Sequence, residues 1–232
     1  MRSAFYGTVS PELGNIRRIT FCEGTQLRMR RIVMRSRARA TGKYPSWKVG
    51  RMVQWESINE LNAFRLLDAM PEVSTFSEQP CEICYVQNEK DRYHYPDIFV
   101  VINGVPELWE VKPEADARSE ETQLRTELLT RELIPYGLIY RIAIAESLAQ
   151  QPRLNNSIKL LQFGRRVATE MEREFIRQIL VRCGSLNWGL ACSGKYGLYG
   201  REIVCRLTLE GMLTMDHTKP LSSSTNFLTI NR

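Results

Sequence analysis

Histidine is scarce in this chain, with only His94 and His217 among 232 residues. This scarcity disfavours a Ser/His/Asp hydrolase and any nuclease that relies on several histidines. No apolar run is long enough to cross a bilayer, and residues 1–7 lack the apolar segment of a signal peptide. We therefore expect a cytoplasmic protein that does not associate with membranes.

The six cysteines do not form a recognisable zinc motif. Cys81 and Cys84 have CxxC spacing, but they lie in a strand-like segment, where residues three apart point to opposite faces. Neither a second CxxC pair nor a pair of nearby histidines completes a ligand set. We expect all six to be reduced thiols, most of them buried.

Positive charge is concentrated near the start of the chain. Residues 17–51 contain eleven Lys or Arg and one acid, a balance of +10, so the rest of the chain carries −4 within the total of +6. The basic residues that we expect to contact phosphates are Arg28, Arg30, Arg31, Arg35, Arg37, Arg39, Lys43 and Lys48. The alternative is a solvated basic leader that binds nothing.

A predicted hairpin carries the residues with the clearest chemistry. Asp97 opens an apolar run that ends at Asn103-Gly104, a dipeptide favoured in tight hairpin turns. Alternation along the returning strand places Glu110 and Lys112 on one face. The hairpin can hold both carboxylates around one hard cation such as Mg²⁺, with the ammonium beside a bound water. The alternative is a solvated Glu/Lys pair that binds no metal.

A predicted helix precedes the hairpin and contributes one more acid, Glu60, in its first turn. Ser57-x-x-Glu60 is also a capping box, in which the Glu60 carboxylate would reach back to the Ser57 backbone N–H. The sequence leaves open whether Glu60 caps the helix or binds a cation.

Taken together, these segments resemble a known nuclease family. Pro96-Asp97 and Glu110-Val111-Lys112 match the PD-(D/E)xK signature. With Glu56-Ser57-x-x-Glu60 and Glu78-Gln79-Pro80 upstream, residues 40–145 resemble the N-terminal nuclease domain of TnsA, the endonuclease subunit of heteromeric cut-and-paste transposases. Where the family prototype has Gln as the second motif acid, Glu110 is closer to the general nuclease pattern.

The resemblance implies a fold, a reaction and partners. It implies a restriction-endonuclease-like mixed-sheet core that cuts the non-transferred strand at the ends of a transposon in bacterial cytoplasm. Mg²⁺, with Mn²⁺ as a substitute, would be held by Asp97, Glu110, the Val111 carbonyl and Glu60, with Lys112 as the catalytic lysine and Gln79 near the site. The implied partners are double-stranded DNA, the DDE transposase TnsB and the AAA+ regulator TnsC.

The chain is long enough for two small domains, and we expect a boundary near residue 150. We predict a basic arm over residues 1–40, an α/β nuclease domain over 41–150 and a partner-binding domain over 151–232. Helical periodicity over 155–168, 170–183 and 198–209, followed by strands at 212–215 and 226–230, is typical of a winged helix. The alternatives are a stand-alone restriction or repair nuclease, and a winged-helix DNA-binding assembly factor with a dead nuclease site.

Overall fold

The structure, a computed structural model, describes residues 8–9, 14–22, 28–29 and 40–230. The chain divides into two compact units, one formed by residues 1–63 and 73–148 and the other by residues 64–72 and 149–232. Among the described residues, none of the helices combines the length and the apolar character that a membrane span requires.

The first unit is built mainly of strands. Its described strands are β1 (Thr8–Val9), β2 (Ile16–Phe21), β3 (Gly42–Pro45), β4 (Met52–Trp55), β5 (Val73–Glu78), β6 (Cys81–Gln87), β7 (Lys90–His94), β8 (Ile98–Ile102), β9 (Val105–Lys112) and β10 (Ile139–Ile144). Its helices are α1 (Ile58–Ala69), which continues into the second unit, α2 (Glu114–Ala117), α3 (Glu120–Glu132), a 3₁₀ turn (Ile134–Tyr136) and α4 (Ala145–Leu148).

A mixed four-stranded sheet organises this unit, with the strand order β10-β9-β8-β5. β8 and β9 form the predicted hairpin, and Asn103 and Gly104 at its turn have φ values of 51° and 81°. Positive φ at both central residues gives the turn that matches the twist of paired strands. β10 runs parallel to β9, whereas β5 and β8 are antiparallel. This mixed α/β architecture is consistent with the expected nuclease core.

A second sheet, in the order β1-β2-β6-β7, shares an apolar core with the first. Leu108 of β9 and Leu129 of α3 are fully buried in that core. The sequence predicted a strand over residues 81–86 but no strand over 73–78. In the structure the latter segment is β5, the neighbour of β8, while residues 81–87 pair in the second sheet. β2 also pairs there, although it lies within the range predicted as a basic arm.

Residues 116–133 have a sequence pattern that predicts a single amphipathic helix, but the structure divides this segment between α2 and α3. Ser119 interrupts it, because its backbone is extended and its hydroxyl accepts a hydrogen bond from the Thr122 N–H, which makes it the N-cap of α3. Glu120 and Glu121 in the first turn suit the positive end of the helix dipole. This cap begins the helix that carries Arg125 to the site described below.

Up to residue 230, where the described residues end, the second unit contains four more helices and a small sheet. Its elements are α5 (Arg153–Phe163), α6 (Glu170–Cys183), β11 (Leu186–Asn187), α7 (Trp188–Cys192), α8 (Gly200–Leu209), β12 (Leu213–Thr214) and β13 (Asn226–Thr229). The sheet order is β11-β13-β12, with antiparallel pairs. The sequence patterns predicted α5, α6, α8 and the two last strands, but not the short β11 and α7.

The cysteines are all free, as expected, but fewer are buried than predicted. Cys81, Cys84 and Cys205 are buried, whereas Cys183 and Cys192 are exposed. The two exposed residues follow the helical pattern of their segments without lying on a packed face.

Candidate active site

Asp97, Glu110 and Lys112 meet where β8 begins and β9 ends. Asp97 immediately precedes β8, and the antiparallel register pairs Ile98 with Trp109, which places Asp97 beside Glu110. The Val111 N–H donates a 2.7 Å hydrogen bond to Asp97 Oδ2. The hairpin therefore holds the three predicted residues together, and the backbone of β9 orients the Asp97 carboxylate.

Glu110 is nearly inaccessible to solvent, with 5% of its surface exposed. Its Oε1 lies 3.0 Å from Lys112 Nζ, and its Oε2 is buried without a hydrogen-bond partner. Lys112 remains one-third exposed. One carboxylate oxygen is thus held by the lysine while the other is left unsatisfied.

The surroundings of Asp97 disfavour its ionisation. Burial, and then the charges of Glu110 and Glu60, raise the pKa of Asp97 well above its ordinary value of 3.8, although the Val111 N–H and Lys112 oppose this. Burial alone would lower the pKa of Lys112, but Glu110 and Asp97 outweigh it and raise that pKa. Lys112 is therefore an ammonium at neutral pH and acts through its charge and its N–H donors, not as a base.

Glu60 closes the start of α1, in a way that differs from the predicted capping box. Its Oε1 accepts from the Ser57 hydroxyl at 2.9 Å, and its Oε2 accepts from the Glu56 N–H at 2.8 Å, rather than from the Ser57 N–H. The Ser57 hydroxyl in turn accepts from the Glu60 N–H at 3.1 Å. Burial raises the pKa of Glu60, and the charge of Glu110 adds to this. Capping and proximity to the site therefore coexist.

Gln79 links the site to the segment before α1. Its backbone N–H donates to the Asp97 carbonyl at 2.8 Å, and its side-chain amide donates to Glu56 Oε1 at 2.9 Å. Its φ of 40° is left-handed, an uncommon backbone for a residue with a side chain. Its buried Oε1 has no hydrogen-bond partner. The structure thus places Gln79 behind Asp97, in contact with its backbone.

Three residues near Glu110 were not predicted as part of the site. Arg125 of α3 places its guanidinium 3.9 Å from Glu110 Oε1, and His94 Nε2 lies 3.5 Å from Glu110 Oε2. Tyr140 of β10 places its hydroxyl 2.9 Å from His94 Nε2. The sequence contains no spacing signal for this set, because a helix, an edge strand and a parallel strand each contribute one residue.

His94 is neutral in this setting. It is 7% exposed, and burial, followed by the charges of Arg125 and Lys112, lowers its pKa to about 3. Its approach to Glu110 is therefore a contact and not an ion pair.

The donor set suits a hard cation. The unsatisfied buried Oε2 of Glu110 and the raised pKa of Asp97 both indicate acceptor oxygens that the fold does not fully compensate, even with Lys112 beside Glu110. Carboxylate and carbonyl oxygens are the ligands that Mg²⁺ prefers. Within the described ranges, however, no three His, Cys, Asp or Glu side chains form a ready ligand cluster. Glu60 is therefore not gathered with Asp97 and Glu110 into one.

Three of the predicted phosphate-contacting residues lie in the described segments, and their side chains differ in exposure and in contacts. Lys43 is exposed on β3. Lys48 Nζ donates to the Val73 carbonyl at 2.6 Å, and the Arg28 guanidinium donates to the Gln54 side chain. Arg30, Arg31, Arg35, Arg37 and Arg39 lie outside the described residues.

Comparison with protein families identifies the domain that carries this site. Residues 70–175 match the family model described as TnsA-like endonuclease N terminal. This match covers just under half of the chain and confirms the resemblance inferred from the sequence, with whose predicted range it shares residues 70–145. Asp97, Glu110 and Lys112 lie inside the matched TnsA-like domain, and Glu60 lies before it. The domain implies a nuclease that acts on DNA.

A solved structure gives weaker information. The crystal structure of protein VC1899 from Vibrio cholerae is similar over 44% of this chain and 31% of its own, with 14% identity and a TM-score of 0.24. A likeness this distant carries no argument about function. No curated protein matched the chain.

Proposed function

We propose that this protein is the metal-dependent DNA endonuclease subunit of a heteromeric Tn7-type transposase, which cuts the non-transferred strand at transposon ends. The observation that carries the proposal is the meeting of Asp97, Glu110 and Lys112 inside the matched TnsA-like domain. Hydrolysis would leave a 5′-phosphate and a 3′-hydroxyl.

In this proposal each residue of the site has a separate task. Asp97, Glu110 and the Val111 carbonyl would hold Mg²⁺, with Glu60 as an auxiliary acid. When bound there, such an ion would supply Lewis-acid chemistry at the scissile phosphate and at a water molecule. Lys112, held 3.0 Å from Glu110, keeps its proton, orients the attacking water and neutralises charge that develops on the phosphate. The Val111 N–H fixes the Asp97 carboxylate.

We propose residues 1–40 as a DNA-contacting basic arm, 41–150 as the nuclease domain and 151–232 as a winged-helix-like docking domain. The order α6, β11, α7, α8, β12, β13 supports a winged-helix topology. The usual recognition position belongs to α8, which is mostly buried. Its basic side chains Arg201 and Arg206 pair with Glu202 and Glu210. This pairing favours docking of the partners TnsB and TnsC over DNA reading.

The exposed apolar residues of α6 offer a test of docking. Met171 is 84% exposed and Val181 is 75% exposed, so neither stabilises the folded unit by burial. We expect Met171→Asp to weaken assembly with the regulator at an unchanged melting temperature. Ile134→Asp, at a 65% exposed position of the first unit, is the matched control. Equal assembly by both variants would place docking elsewhere.

Strand mapping on end-labelled transposon DNA tests the function itself. We expect cleavage of the non-transferred strand, dependent on Mg²⁺ or Mn²⁺ and on the partner transposase. Cleavage of both strands without any partner would favour a stand-alone nuclease. DNA binding without cleavage under all conditions would favour an assembly factor with an inactive site.

A further inference from the structure

A buried hydroxyl lies behind the carboxylate of Glu110. Tyr140 of β10 is 3% exposed, and its hydroxyl lies 2.9 Å from His94 Nε2. The two rings pack edge to face, with centroids 5.7 Å apart and an interplanar angle of 70°. This contact fixes the orientation of the imidazole, whose Nε2 also faces Glu110 Oε2 at 3.5 Å.

Whether His94 Nε2 carries a proton determines whether Glu110 Oε2 accepts a hydrogen bond from it or keeps its lone pairs for a cation. If a neutral imidazole carries its proton on Nε2, that N–H can donate to the unsatisfied Oε2 of Glu110 after a small movement. If the proton lies on Nδ1, Nε2 is an acceptor and Oε2 keeps its lone pairs for a cation. A hydroxyl that donates to Nε2 selects the second tautomer.

The surroundings of Tyr140 favour the donating role of its hydroxyl. Arg125 lies close enough to act electrostatically on Tyr140, and an arginine offers only donors. The phenol oxygen therefore faces a donor on that side, which leaves its O–H free to donate to His94 Nε2. The 3.5 Å distance between Nε2 and Glu110 Oε2, longer than a normal hydrogen bond, agrees with a bare Nε2.

We propose that Tyr140 is a positioning residue that locks His94 in the Nδ1–H tautomer and so keeps Glu110 Oε2 free to bind the divalent cation. Tyr140 acts through His94 and does not contact the reacting atoms. The part that concerns the cation rests on the proposed nuclease function, whereas the tautomer is a property of the chain itself. Tyr140→Phe removes the lock, and His94 then captures Oε2 by donating from Nε2.

The tautomer can be measured directly. The chain has only two histidines, so the full-length protein labelled with ¹⁵N-histidine gives two ring spectra, with His217 as the internal reference. We expect the Nδ1–H tautomer at His94 in the wild type and the Nε2–H tautomer in Tyr140→Phe. An Nε2–H tautomer in the wild type overturns the proposal.

The effect of Tyr140 on metal binding is tested by comparing single and double variants. We expect Tyr140→Phe to weaken Mn²⁺ binding, measured by electron paramagnetic resonance, about tenfold, since one hydrogen bond to the carboxylate competes with the ion. Tyr136→Phe removes the hydroxyl of a side chain that packs against the same core, and it should leave binding unchanged. Tyr140→Phe combined with His94→Leu should restore binding, because the competing donor is gone.

A merely structural role for Tyr140 makes the opposite prediction for the double variant, which would bind Mn²⁺ as weakly as Tyr140→Phe or more weakly. That outcome, or unchanged Mn²⁺ binding in Tyr140→Phe, would overturn the proposed role of Tyr140. If the wild type binds no Mn²⁺ at all, the metal centre of the proposed function fails, and the ¹⁵N spectra still decide the tautomer on their own.

Discussion

The acids of the candidate site in the first unit and two acids on α6 of the second unit have opposite electrostatic surroundings. In the first unit, burial and mutual repulsion raise the pKa values of Asp97 and Glu60. In the second unit, Glu172 receives two hydrogen bonds from Arg166, at 2.8 and 3.0 Å, which lower its pKa to about 2. Glu174 is paired with Arg177 in the same way, and its pKa is also about 2.

This difference distinguishes carboxylates that are paired within the fold from carboxylates that are available to bind a ligand. Arginine pairing satisfies a carboxylate within the fold, whereas a cluster that raises its own pKa values destabilises the fold until a cation arrives. Perturbed pKa values of the second kind gather at functional sites. The raised pKa values therefore support the proposal that the first unit carries the chemistry, whereas the acids of α6 are neutralised by arginines of their own unit.

Substitutions test this difference between the two units. The largest expected effect is on cleavage, for variants of the candidate site in the first unit. We expect Asp97→Ala to reduce cleavage by on the order of a thousandfold or more, since it removes a metal ligand, and to weaken Mn²⁺ binding. Lys112→Ala should reduce cleavage by about a hundredfold or more but keep Mn²⁺ binding, because the ammonium serves the water and the phosphate. Single-turnover cleavage and Mn²⁺ titration measure the two effects.

The control for these variants is Glu174→Gln, which removes an exposed carboxylate of the second unit. It should cleave at the wild-type rate. If Asp97→Ala and Lys112→Ala both cut the same strand at the wild-type rate in the assembled transposase, the active site lies elsewhere.

The next largest effect concerns the basic segment, whose charge balance is +10 over residues 17–51. Replacing Arg35, Arg37 and Arg39 with Ala should weaken DNA binding and reduce the slope of log affinity against log salt by about 3, because fewer counter-ions are released. Lys43→Ala, at an exposed position of β3, should reduce the slope by about 1. Slopes equal to the wild type would indicate a leader that does not touch DNA.

A smaller effect is expected at Glu60, where capping and metal binding overlap. In Glu60→Gln the amide oxygen can accept from the Glu56 N–H, and the amide group can donate to the Ser57 hydroxyl, so the helix start is kept. A neutral amide binds a hard cation poorly, and we expect cleavage to fall about tenfold. The melting temperature should remain unchanged. A lower melting temperature with full activity would assign Glu60 to capping alone.

The smallest effects are on stability, and they have opposite signs in the two units. The folded state raises the pKa of Asp97, so stability falls as pH rises through that raised value, and Asp97→Asn should be the more stable protein at pH near 7. The gain should vanish as pH falls below 3.8, where aspartate is protonated in both states. Chemical denaturation without divalent cations measures it. If Asp97→Asn and the wild type have equal free energies of unfolding at both pH values, the repulsion inferred for the site is contradicted.

Glu172 should behave in the reverse way. Its folded pKa is lowered from 4.5 to about 2, so its contribution is complete above pH 4.5 and is lost as pH falls towards 2. Glu172→Gln should therefore cost about 1 kcal/mol at neutral pH, since it weakens both the capping box at Thr169 and the pair with Arg166. A loss that persists unchanged at pH 2 would assign the effect to packing.

The hairpin was predictable because its signals are local. Asn103-Gly104 sets the turn, the alternation of β9 sets the face of Glu110 and Lys112, and Asp97 precedes β8 by one residue. Other local features were placed less well. The interruption at Ser119 was missed because the residues around it are polar, so no apolar periodicity marks the break. β5 was missed because its six residues form too short a pattern.

The sequence by itself determined the turn, the strand faces and the order of the motif acids, since these depend on neighbours within a few residues. Only the tertiary structure decided the surroundings of Glu110. Arg125, His94 and Tyr140 come from an α-helix, an edge strand and a strand parallel to β9, which chain folding alone brings together. Their effect depends on burial, because desolvation makes His94 neutral and leaves Glu110 Oε2 without a partner.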